Sequence, residues 1–143
     1  MEKIPPKVET PSFERLELEP EGIGSLEFMG MKVRYVLDDP EEPNGTGPSK
    51  PAFFMFTQDY GYGATTEDTL SVWIWEGVPK KFKEILLYHE LMEGYYSQLG
   101  VEHPRSHELA KKSHLAYAKQ FLSAEDLNEF LEWQSQLPEG GTF

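Results

Sequence analysis

From Gly24 to Leu37, apolar side chains alternate with polar or small ones: Leu26, Phe28, Met31, Val33, Tyr35 and Leu37. A period of two places them on one face of extended chain, and Met29-Gly30 interrupts the alternation, so the segment predicts a β-hairpin. Ala52 to Thr57 is a short apolar, aromatic run between turn residues and predicts a buried strand. Leu70 to Trp75, rich in β-branched and aromatic residues, predicts another that ends in the turn Glu76-Gly77-Val78-Pro79. The period then changes. Phe82, Ile85, Leu86, His89 and Met92 or Glu93 recur at helical spacing and predict a helix over 80–99, with Gly94 inside it and Gly100 as its stop. A second helix, roughly 106–121, follows Pro104 and Ser106 and carries Leu109, Ala110, Leu115, Ala118, Phe121 and Leu122 at its close. Ser123-Ala124-Glu125-Asp126 caps a third, which carries Leu127, Phe130, Leu131 and Leu137.

Strands followed by helices predict an α+β fold, a small antiparallel sheet with a three-helix C-terminal half packed on it. The chain of 143 residues suffices for one domain with a core and is too short for two ordinary ones. That domain is expected over 22–143. Residues 1–21, with Pro5, Pro6, Pro11 and Pro20 among charges, predict an extended or disordered arm. Asp38 to Pro51 reads as a turn-rich connection, and Gln58 to Thr66 as an exposed loop.

Charge narrows the partners. Thirteen Lys plus Arg against 25 Asp plus Glu give a net charge of −12, which opposes binding to nucleic acid and to anionic membrane surfaces. No run approaches the roughly 20 apolar residues that cross a bilayer, and the N-terminus lacks an apolar leader core, so a cytoplasmic protein is expected. With no cysteine, any metal site has to be built from histidine and carboxylate.

All four histidines, His89, His103, His107 and His114, fall in one short stretch. His89-Glu90-Leu91-Met92-Glu93 is a near neighbour of the zinc-protease motif H-E-x-x-H, with glutamate in place of the second histidine. On a helix, residues 89 and 93 stand one turn apart on one face, so an imidazole and a carboxylate point the same way. Both are ligands for zinc or another divalent metal, and Glu90 is placed to serve as general base. A third ligand is sought on the second helix. For a helical hairpin that turns near residue 102, depth matches His89 to Glu93 with residues near 113, which favours His114 over His107. Seven residues, about 10 Å along a helix, keep those two from sharing one ion. His103, before Pro104 in the expected loop, ranks last.

The string His89-Glu90-Leu91-Met92-Glu93 followed by Ser106-His107-Glu108-Leu109-Ala110 resembles a group of small bacterial and phage proteins with HExxE and then an HE[IL]A helix, themselves similar to zincin-like metallopeptidases. The resemblance covers about 35 residues. It implies a zincin-like domain in which one helix supplies two ligands and a catalytic glutamate, and the next helix supplies the third ligand, here His107. Where that group often carries glutamate seven residues on, this chain has His114, so His107 and His114 both stand as candidates. The expected function is a zinc-dependent hydrolase acting on peptide or protein substrates. The alternative is an acidic, non-catalytic interaction module that binds a basic partner, with a structural metal or none.

Overall fold

The computed structural model describes residues 15–39, 51–58 and 68–137. Most of the turn-rich connection, the loop after Gln58 and the first 14 residues of the arm lie outside them. Strands β1 (Ile23–Phe28) and β2 (Met31–Asp39) form the expected hairpin, with Phe28 paired to Met31. Met29 and Gly30 between them have φ of 49° and 83°, as a two-residue hairpin turn needs. Strands β3 (Ala52–Gln58) and β4 (Asp68–Trp75) complete the sheet.

The sheet is mixed, which corrects the antiparallel expectation: its order is β1-β2-β4-β3, and β4 pairs antiparallel with β3 but parallel with β2. The alternation of side chains decides which face a strand buries and says nothing of its neighbour. Central placement goes to the strand with the driest row, Leu70, Val72 and Ile74, all at or below 1% exposed. Beside them, Val33, Tyr35 and Leu37 of β2 face the same core.

Helix α1 (Lys80–Gln98) packs on this face and is covered in turn by α2 (His103–Phe121), while α3 (Ala124–Ser135) closes one end. Between Phe82 and Gly94 every residue of α1 except Glu84 is buried. Gly94 lets the helix approach the sheet: a Cβ there would stand 2.8 Å from Leu70 Cδ2. Gly100 ends α1 as expected, with φ of 86°; its N–H donates to Ser97 and that of Val101 to Tyr96, which satisfies the last carbonyls. Helix α2 starts three residues before the expected point because proline is accommodated in a first turn, where no intrahelical N–H bond is lost. Ser123 caps α3 by accepting the Asp126 N–H.

Residues 15–19 run without regular structure but lie against the domain. The Leu16 N–H donates to the Tyr117 hydroxyl at 2.9 Å, that of Glu19 to the Tyr35 hydroxyl at 2.8 Å, and Leu16 and Leu18 pack on the core. No helix of the described residues is long and apolar enough to cross a membrane.

Candidate metal centre

A helix buried on nearly all sides is ordinarily apolar. Helix α1 instead carries His89, Glu90 and Glu93 at 1%, 3% and 3% exposure. Buried ionisable groups are costly unless they are paired or hold a cation, so the partners of these three decide what they are for.

His89 and Glu93, one turn apart, face α2, and His89 Nε2 lies 3.1 Å from Glu93 Oε2. His107 Nδ1 reaches the same oxygen at 3.5 Å. His103 Nε2 stands 3.2 Å from the other carboxylate oxygen, Oε1, with its side chain 71% exposed. The expected loop position of His103 is therefore corrected: it is the first residue of α2, one turn from His107, and the two rings lie nearly parallel with centroids 6.4 Å apart. Burial alone would raise the Glu93 pKa, but hydrogen bonds and charge from His107 and His89 outweigh it and hold the carboxyl down at about 2. It is an anion throughout the range in which imidazole binds metal.

His114 sits on the far side of His89, with the two Nδ1 atoms 2.8 Å apart. Its Nε2 meets Gln134 Oε1 of α3 at 3.1 Å, and its ring packs edge-on against Phe130. Burial, then the proximity of His89, pushes the His114 pKa well below the usual imidazole range and keeps the ring neutral.

Of the two candidate third ligands, the structure brings His107 into the group and sets His114 behind it. His89, Glu93 and His107 each offer a ligand atom within 4.8 Å of the others. The reason lies in the turn. Leu99 to Glu102 separate the helices, so the hairpin is centred between residues 100 and 101 and not near 102. Reflection about that point takes Glu93 to about residue 108 and His89 to about 112, so the two α2 histidines fall at different levels on either side of Ala110. Ala110 is fully buried, and its small side chain leaves room for the rings around it.

Comparison with family models, with curated proteins and with solved structures gives no match. What the group can do rests on its own geometry. Two donors each about 2.1 Å from one ion in tetrahedral arrangement stand roughly 3.4 Å apart. The contacts of 3.1 and 3.5 Å onto Glu93 Oε2 straddle that spacing, and the side from which His103 and His107 approach reaches solvent. Two imidazoles and one carboxylate so placed could hold a divalent cation; such donors suit zinc, iron or manganese.

Glu90 is the next residue after His89, rotated by about 100° around the helix axis and buried. From the sequence His103 ranked last, and Gln134 was not singled out. The i, i+4 spacing of His103 and His107 was a usable signal that the expected helix start concealed. Gln134 carried none, because a lone polar residue on an amphipathic helix has no pattern that names its partner.

Proposed function

We propose that this chain is a zincin-like, zinc-dependent hydrolase of peptide bonds, working in the cytoplasm on peptide or protein substrates. The observation that carries the proposal is the convergence of His89, Glu93 and His107 between two helices, with a further buried carboxylate, Glu90, next to His89 in the chain. His89, Glu93 and His107 would hold the ion, which when bound supplies Lewis acidity, lowering the pKa of a water and polarising the scissile carbonyl. Glu90 accepts a proton from the attacking water as the carbon–oxygen bond forms, and returns it to the amine as the carbon–nitrogen bond breaks. Glu93 keeps its negative charge against the two imidazoles. His103, on the exposed side, steadies the carboxylate oxygen that the other two histidines do not touch.

The test is hydrolysis of a fluorogenic peptide library by the zinc-loaded protein. Glu90→Gln should retain the metal and lose hydrolysis by about 10²- to 10⁴-fold, while His89→Ala should lose both. Full hydrolysis by Glu90→Gln would refute the assigned base. A protein that holds zinc stoichiometrically and cleaves nothing would favour the acidic interaction module with a structural metal.

A further inference from the structure

Among the described residues, the helices pack on one face of the sheet. Val33, Tyr35 and Leu37 of β2 and Leu70, Val72 and Ile74 of β4 point into that core, so strand alternation turns Lys32, Arg34 and Val36, with Thr69, Ser71 and Trp73, to the other face. Strand pairing sets these outer side chains in rows. Ile23, Val36, Trp73 and Phe53 form an apolar row; Ser25, Arg34 and Ser71 form the next; Glu27, Lys32 and Thr69 form a third.

An open hollow of about 430 Å³ lies over the first two rows, lined by Ile23, Ser25, Arg34, Val36, Ser71 and Trp73. A second, of about 310 Å³, shares Ser25 and Arg34 with it and extends to Lys32 and Thr69. We propose that the larger hollow binds a small aromatic carboxylate, with its ring against Trp73 and Val36 and its carboxylate on Arg34. The site is independent of the metal centre, which lies between α1 and α2 beyond the opposite face of the sheet.

The size suits one ring with a short acidic arm. Trp73 supplies a rigid aromatic wall, since its ring is already stacked with that of Phe53 at 5.7 Å and 30°. Arg34 stands in register between Ser25 and Ser71, so the planar fork that matches a carboxylate is flanked by two hydroxyls. Lys32 stands directly opposite Glu27, which offsets its charge. Lys32 and Arg34 against Glu27 leave one positive charge in these rows, the complement of a monoanion and too little for a phosphate dianion. The chain as a whole carries −12, but charges beyond a screening length of about 8 Å act weakly on a small ligand. An acidic protein or a nucleic acid would meet that wider negative surface, which favours the small anion.

Proton–nitrogen correlation spectra of the full chain, titrated with phenylacetate, test the site. The Trp73 indole and Arg34 guanidinium signals should shift and saturate. Benzyl alcohol, which keeps the ring without the charge, and acetate, which keeps the charge without the ring, should each bind about 10-fold or more weakly. Arg34 is exposed, so Arg34→Gln should keep the wild-type melting temperature while weakening phenylacetate about 10-fold, and Arg34→Lys should recover only part of the loss. Phenylacetate that leaves both signals unmoved would overturn the site. Equal binding of benzyl alcohol, or undiminished binding by Arg34→Gln, would overturn the recognition of an anion there, and tighter binding of phenyl phosphate would overturn the choice of a carboxylate.

Discussion

Helix α1 buries its own side chains equally deeply at both ends of the seam with its helical partners, and with opposite chemistry. Near its start Phe82, 2% exposed, packs edge-on against the fully buried Phe130 at 5.3 Å, with Trp133 at 5.5 Å. Two turns further on, His89 and Glu93 are as deeply buried, pair with each other and meet the imidazoles of His114 and His107 on α2. Burial of aromatic rings drives folding, whereas burial of a carboxylate and imidazoles opposes it unless every group is matched. The contrast teaches that the first end builds the domain and the second is carried by it. A fold that needed only stability would have run the aromatic packing along the whole seam.

Substitutions at the two ends should have opposite effects on stability. Phe82→Ala should cost about 3–5 kcal/mol through the cavity it opens, read as a fall in the urea midpoint; a midpoint that hardly moves would mean that the aromatic end does not carry the fold. Replacement of His89 and Glu93 together by leucine, measured without zinc, should leave stability unchanged or raise it by about 1–4 kcal/mol, while zinc uptake disappears. Large destabilisation of that double variant would show that the polar end is structural after all. Gly94→Ala, which drives a methyl group toward Leu70, should destabilise by about 1–3 kcal/mol in thermal melts and separate helix–sheet packing from the chemistry one residue earlier.

The smallest effect is one of pH. His114 is held neutral by burial and by the nearby His89, Lys111 and His107, so its folded-state pKa lies below the 6.5 of the unfolded chain. Below pH 6.5 the unfolded state binds the extra proton, and stability falls with pH by about 1.4 kcal/mol per unit until the folded-state value is reached. Glu93 acts lower, its contribution present above 4.5 and lost as pH drops toward about 2. The metal-free protein should therefore lose melting temperature from pH 6.5 downward, and His114→Gln should flatten the upper part of that fall. An equally steep fall in the variant would place its origin elsewhere.

Much of the fold was legible because local patterns have local causes. The alternation through Leu26 to Leu37, the Met29-Gly30 break, the Ser123 cap and the Gly100 stop each specify a backbone conformation without reference to distant residues. The strand order did not, because Leu70, Val72 and Ile74 would alternate identically beside β3 alone or between β3 and β2. At the site, His89 and Glu93 share a face by helical spacing alone. The choice between His107 and His114 turned on the centre of a four-residue connection, where a shift of less than two residues moves one histidine away from the carboxylate and brings the other toward it.

On the proposed reading, one cation sits between α1 and α2 on His89, Glu93 and His107. Anomalous diffraction from crystals grown with zinc measures it most directly. A single peak is expected within bonding distance of His89 Nε2, a Glu93 carboxylate oxygen and His107 Nδ1, with His114 outside the ligand set and hydrogen-bonded to His89. A cluster without a peak, or a peak ligated by His114 in place of His107, would contradict it.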